Sequence, residues 1–210
     1  MTTVAYTAFL SEVAPLVLQC PTPLIINAIR NTAIDFCTKT NVWQETQPVQ
    51  TVTAADLPLD LSASTGVTVT LVLACKINGI LIEPVTLDYL DGQHTNWEVA
   101  SGTPINYFQA NTAQLGLYPK PVGAVNLTLR VAYAPTRSST EIDSAIYENN
   151  LTTIAAGASA SLMMMPDLPW SHPKLALYYS AIYASDTTEA LTSTQKSFTR
   201  ARYRVLSNPF

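Results

Sequence analysis

The side chains that could do chemistry in this chain are few and scattered. There are two histidines, His94 and His172, and neither has a carboxylate or thiol at a recognisable catalytic spacing. His172 precedes Pro173 and reads as a helix starter, while His94 sits in a polar turn and is expected to face water. Asp88, Asp91 and Glu98 could be imagined as an acid pair for sugar hydrolysis, which needs two carboxyls flanking one bond. Carboxylates in a loop are more simply read as solvated. Nucleophile-elbow, zincin and phosphate-cradling glycine motifs do not occur. Cys20, Cys37 and Cys75 are odd in number and lack CxxC spacing, so they read as small buried hydrophobes in a reducing compartment, not a disulfide framework or zinc site. Met163, Met164 and Met165 read as adaptable core filling at a helix end. Trp97 and Tyr107 could stack on a sugar ring, and the competing reading is core or inter-subunit contact. The expectation is a protein without catalytic residues, cofactor or metal.

One cluster does have a spacing. Lys196, Arg200 and Arg204 recur at four-residue steps, with Arg202 between them. They could form a solvated helical face that complements the helix dipole. Alternatively they form a peg whose guanidiniums pair with acidic groups on a partner, while Tyr203, Leu206 and Phe210 fill pockets, since arginine and aromatic residues dominate interface hot spots. DNA binding by the cluster is the weaker reading. The chain carries a net charge of −4 and as a whole has no electrostatic footprint for gripping nucleic acid.

Composition says what must surround these residues. With 210 residues the chain can bury one solid core and a smaller second one. Hydrophobic residues make up 48% and charged residues 12%, against about 25% charged in typical domains. A surface so poor in charge suits a protein largely covered by neighbouring subunits. No targeting segment is visible, and no apolar run approaches the ~20 residues of a membrane span. The protein is therefore expected to be made in a cytoplasm and to stay there until it joins an assembly.

Helix periodicity appears at both ends and strand periodicity in the middle. Phe9, Val13, Leu16 and Val17 make one apolar stripe over 5–19, kinked or delayed by Pro15. Thr22 and Pro23 predict an N-cap and first helical residue. The helix that follows buries Ile25, Ile29, Ala33 and Phe36 or Cys37, ends near Asn41, and exits through Trp43. The period then changes: Val49, Thr51 and Thr53 alternate, and Val67 to Ile77 is a long β-branched run. Asn78-Gly79 between apolar runs predicts a tight type I′ hairpin. Residues 86–92 read as one helical turn, with further strands at Ile105–Gln109, Gln114–Tyr118 and Val125–Tyr133. Ser138 to Thr140 can cap a helix with the stripe Ile146, Leu151, Ile154, Ala158 and Leu162, whose small residues from Ala155 to Ser161, Gly157 among them, predict the closest helix crossing. Pro166 to Pro173 breaks it, and Pro173 starts a last helix through Leu175, Tyr179 and Ile182 to about Leu206. The fold class expected is α+β: a discontinuous bundle of about four helices from both termini (1–43 and 136–210), with an inserted antiparallel β-rich domain (44–135), a small sandwich or open barrel.

Three ordered sets of residues carry a resemblance. The first is Ala33-Ile34-Asp35-Phe36-Cys37-Thr38-Lys39-Thr40 with Val42-Trp43. The second is Ile77-Asn78-Gly79 with Leu87, then Gly102-Thr103-Pro104 and Tyr107, then Leu115-Gly116-Leu117-Tyr118-Pro119-Lys120-Pro121. The third is Tyr147, Ile154-Ala155 and Gly157-Ala158, then Pro169-Trp170, Pro173, Leu175-Ala176 and Tyr179. In this order they cover most of the chain, which resembles the head-to-tail adaptor (connector) proteins of tailed bacteriophages. The resemblance implies a structural virion protein at the head–tail junction, made in the host bacterium. It implies a ring, commonly of twelve copies, that docks beneath the portal protein, extends the DNA channel and receives tail tube, nozzle or fibre proteins. No sequence-specific DNA binding and no membrane are implied. The family's C-terminal segment commonly reaches into the portal, and the matching candidates are Lys196, Arg200, Arg202, Tyr203, Arg204, Val205, Leu206 and Phe210, on a tail short enough to reach only the portal's outer rim. The alternative is a β-sandwich recognition module that binds a glycan or host surface.

Overall fold

The computed structural model describes residues 2–61 and 65–196. They form a mixed α and β protein with five α-helices: α1 (Leu10–Val13), α2 (Thr22–Thr40), α3 (Leu87–Gln93), α4 (Ser144–Met163) and α5 (Pro173–Gln195). The strands are β1 (Thr3–Ala5), β2 (Gln44–Thr46), β3 (Gln50–Val52), β4 (Leu59–Asp60), β5 (Val67–Ile77) and β6 (Ile80–Pro84). They continue with β7 (Ser101–Gly102), β8 (Asn106–Asn111), β9 (Gln114–Tyr118), β10 (Lys120–Pro121), β11 (Val125–Pro135) and β12 (Glu141–Asp143). The chain divides into two compact units, one taking residues up to Val42 and from Pro135 onward, the other Trp43–Ala134.

The first unit holds α1, α2, α4 and α5. The amino-terminal stripe predicts a helix over 5–19, and the structure gives much less. Thr3–Ala5 pairs antiparallel with β12, Tyr6–Phe9 is a 3-10 turn, and only Leu10–Val13 is α-helical. The strand pairing fixes the start of the segment in an extended conformation, and Pro15 supplies no N–H to continue the helix. The unit accordingly has three long helices and a fourth, α1, of only four residues. Burial still follows the stripe: Phe9, Val13 and Val17 are fully inside, and Phe9 meets Tyr147 edge-on at 5.0 Å. Leu16, the fourth member, is 37% exposed.

Helix α2 starts one residue earlier than the Thr22 cap predicts. The Pro21 carbonyl accepts from the Leu24 and Ile25 N–H groups at 2.9 and 3.2 Å, so backbone replaces the expected hydroxyl. Ile25, Ile29, Ala33, Phe36 and Cys37 all face the core, and Asn41 ends the helix at φ 49°, a left-handed position asparagine tolerates. Helix α4 is capped by Asp143, whose Oδ1 accepts from the Ala145 N–H at 2.9 Å. The expected cap at Ser138 to Thr140 fails because Glu141–Asp143 is first used as a strand. Asn150 (φ −133°) interrupts α4 and changes its phase, so Leu151 is half-buried while Ile154, Ala158 and Leu162 are sealed.

The second unit is an eight-stranded sheet in the order β2-β11-β5-β6-β8-β9-β4, with β3 also paired to β11. It is mixed, not antiparallel throughout: β6 and β8 run parallel, and so do β7 and β10, which pair apart from the sheet. Nor are there two facing sheets. One sheet bends until β8 reaches β5, although β6 lies between them. The Tyr107 hydroxyl donates to the Val72 carbonyl at 3.4 Å, and the Gln109 side-chain oxygen accepts from the Val72 N–H at 3.3 Å. Val52, Val69, Cys75, Leu115, Leu127 and Val131 fill the interior, with Leu90 of α3. The Asn78-Gly79 hairpin forms as expected, with φ 51° and 83° and Cys75 opposite Ile82. Val49 is exposed and Val52 buried, so the alternation of that segment runs in the opposite phase to the one Val49, Thr51 and Thr53 predict.

Candidate functional site

The dispersed acid–base residues do not converge. Asp91 Oδ1 accepts from the Trp97 indole N–H at 2.6 Å, so this carboxylate orients an aromatic ring. Trp97 in turn packs edge-on against Phe108 at 5.1 Å, and Tyr107 is 5% exposed with its hydroxyl on the main chain. Tyr107 offers no face to a sugar. His94 does not project into water: it is half-buried, with its ring 5.0 Å from Tyr118 and 6.3 Å from Tyr89. His172 does start a helix, its Nδ1 accepting from the Leu175 N–H at 3.2 Å. Among the described residues no group of three His, Cys, Asp or Glu could hold a metal ion, and no helix is long and apolar enough to cross a membrane.

Cys37 and Cys75 are fully buried free thiols, and burial pushes both up to about 12. The nearby Asp143 carboxylate adds to the shift at Cys37. Cys20 is half-exposed. In the native protein, then, Cys20 is expected to take a thiol-labelling reagent while Cys37 and Cys75 react only on unfolding, as mass spectrometry of the labelled chain would read. The same shifts set a pH dependence. An acid whose pKa is higher folded than unfolded favours the native state fully below the unfolded value of 9.0. That stability is lost as pH rises from there towards about 12, because the unfolded chain then binds fewer protons. The denaturation midpoint should fall steeply in that alkaline window, and Cys37→Ala should flatten the fall.

What the structure does assemble is a junction of α2, α4 and α5. The Tyr183 hydroxyl donates to Asp35 Oδ2 at 2.7 Å, the Lys39 ammonium meets the same oxygen at 2.7 Å, and Lys39 also lies 5.9 Å from the Tyr183 ring centre. Burial, with the Asp35 carboxylate beside it, holds the Tyr183 hydroxyl well above its ordinary range, so it stays a donor. Deeper in, Thr153 donates to Asp186 at 3.0 Å. A cleft of about 400 Å³ opens here between Leu24, Ala28, Asp35, Gly157, Met165 and Tyr183. Of the three methionines, Met163 is buried, Met164 is half exposed and Met165 lines this cleft.

The outer side of α5 is the other notable surface. Only Ala176, Thr187 and Thr194 of its 23 residues are buried. Leu177 and Tyr178 are 61% and 60% exposed, and Ala181 and Ala184 continue the face outward. Sequence periodicity identifies the inward side through Leu175, Tyr179 and Ile182, all half-buried, but leaves this second face unremarked. The signal for it was an apolar residue, Leu177, out of phase with that stripe and followed by small residues at steps of four and three. Of the candidate peg, Lys196 is half-buried beyond the end of α5, its backbone N–H on the Thr192 carbonyl at 3.2 Å. Arg200, Arg202, Tyr203, Arg204, Val205, Leu206 and Phe210 lie outside the described residues.

A family model described as SU10 adaptor protein matches residues 5–206. No curated protein matches the chain.

Proposed function

The chain belongs to the SU10 adaptor protein family, and from that premise we propose that it is a head-to-tail adaptor whose copies form a ring below the portal of a tailed phage. Family membership makes it a phage adaptor and a structural component of the virion. The finer assignment is that the ring extends the DNA channel and receives tail components, passing DNA without chemistry. The match over 5–206 carries the reading, because it spans both compact units and not one of them alone.

Physical features agree with it. The outer face of α5 offers Leu177 and Tyr178 to a neighbouring copy, as a ring subunit needs. A net charge of −4 favours release of DNA over retention. The helical unit makes the ring contacts, the sheet unit points outward or tailward and receives tail or fibre proteins, and the peg of Lys196, Arg200, Arg202, Tyr203, Arg204, Val205, Leu206 and Phe210 docks on the portal.

Native mass of the purified chain, alone and with portal protein, tests the proposal. A ring-sized species, or a stable complex with the portal, is the expected result; a strict monomer indifferent to the portal removes it. Deleting residues 200–210 should abolish co-migration with the portal while the far-ultraviolet circular dichroism stays the same. Retained docking would move the portal contact elsewhere on the chain.

A further inference from the structure

On the sheet unit, β2, β5, β6 and β11 enclose a surface groove of about 440 Å³ whose lining includes Leu73, Ala74, Lys76, Leu81 and Arg130. Strand register explains how these residues meet. Lys76 stands opposite Leu81 across β5 and β6, and Arg130 opposite Thr46 across β11 and β2. Each cation lies between two buried neighbours, Cys75 and Ile77 for Lys76, Leu129 and Val131 for Arg130. Side chains alternate along a strand, so burial of those neighbours turns both cations outward to the same face.

Two properties make the groove unusual. Neither the Lys76 ammonium nor the Arg130 guanidinium has an anionic partner among the described residues, where Lys39–Asp35 is the ion pair present. Between them lie aliphatic side chains, and Leu81 is 61% exposed. Two uncompensated positive charges over an apolar floor, on a chain of net charge −4, complement a ligand with carboxylates and an apolar side chain between them. Nucleic acid is a poorer fit. Two cations release only about two counterions, and no aromatic side chain lines the groove for a base to stack on.

We propose that this groove is a docking site for an acidic peptide segment of a tail-side virion protein, with carboxylates on Lys76 and Arg130 and an apolar side chain against Leu73 and Leu81. The proposal deepens the role of receiving tail or fibre proteins assigned to the sheet unit and rests on that reading for the partner's origin. Its chemistry is read from the groove itself.

The test uses the full chain and a fluorescein-labelled synthetic peptide of alternating glutamate and leucine, followed by fluorescence anisotropy. Wild-type protein should bind it, more tightly at low salt. The double variant Lys76→Glu, Arg130→Glu should bind at least about tenfold more weakly, because each reversal removes one charge pair and adds a repulsion. Lys76→Gln alone should give a smaller loss, and a lysine–leucine peptide should prefer the reversed variant. All these positions are exposed, so thermal midpoints should match wild type and rule out misfolding as the cause. Equal peptide binding by wild type and the reversed variant would overturn the proposal. So would displacement of the peptide by a DNA duplex, or a change in native mass in the reversed variant, which would give the groove to nucleic acid or to a second copy. Ring formation is read separately by the mass of the wild-type chain, so its failure and failure of the groove are distinguishable.

Discussion

Replacing Gly157 with leucine should destabilise the protein by about 3 kcal/mol or more, near the upper end of what overpacking a core costs. A Cβ built on Gly157 would lie 2.6 Å from Thr32 Cγ2 and 2.8 Å from Tyr183 Cδ2. Neither neighbour yields easily, since Thr32 is 8% exposed and the Tyr183 hydroxyl is tied to Asp35 at 2.7 Å. Even alanine, which gains about 1 kcal/mol of helix propensity over glycine, is expected to come out destabilising by about 1 kcal/mol once the overpacking is counted. Urea denaturation of the two variants would give these values. Gly92→Ala in α3 is the control: nothing stands within 4 Å of its added Cβ, so it should hold or raise stability. Thr32→Ser removes the methyl that Gly157→Ala strikes, and the pair should recover part of the loss in a double-mutant cycle. Wild-type stability for Gly157→Leu would mean that the three helices do not meet at this point.

Gly157 also shows how far the sequence could be read. A run of small residues from Ala155 to Ser161 announces a close crossing, because only small side chains let helices approach, and that much is local information. Which residues sit across from it is not: Thr32 and Tyr183 are 125 and 26 positions away. The same split runs through the fold. The Asn78-Gly79 turn, the strand Val67–Ile77, the end of α2 at Asn41 and the start of α5 at His172-Pro173 were legible because each is set by residues within one or two turns. The amino-terminal helix, the cap of α4 and the direction of β8 against β6 were not. Each is decided by pairing with a distant segment, β1 with β12 and β6 with β8, which overrides local propensity. At the candidate site, Asp35 and Lys39 carry a readable four-residue spacing, whereas Tyr183 joins them only through the packing of α5 on α2. Lys76 could be seen as the outward residue between two apolar ones. That Arg130 shares its groove follows only from the order of strands.

Leu177→Asp should convert the proposed ring to free subunits. Helix α5 has two unlike sides. The inner side contributes little apolar burial to its own unit, with Ala176 its only fully enclosed apolar residue, and among the described residues the buried Thr194 hydroxyl has no hydrogen-bond partner. Such an inner face, two of whose three buried residues are threonines, holds a 23-residue helix less firmly than an aliphatic one would, since a buried methyl or methylene contributes about 0.8 kcal/mol and a hydroxyl does not. The outer side keeps Leu177 and Tyr178 in water in the isolated chain. Covering both residues with a neighbour recovers about 1.5–3 kcal/mol for each side chain buried. It also braces α5 from its other side. An aspartate at 177 forfeits the leucine's share and adds the cost of desolvating a carboxylate with no cation assigned to it. Together these come to about 4 kcal/mol at every interface, or roughly a thousandfold in subunit affinity. The monomer's own stability should move by no more than about 0.5 kcal/mol, as for other exposed positions. Sedimentation velocity would separate the two effects, showing subunits in place of rings at an unchanged thermal midpoint. A ring that persists in Leu177→Asp and also in Tyr178→Asp would mean that neighbouring copies meet through another face, and the cleft between α2 and α5 would be the next surface to vary.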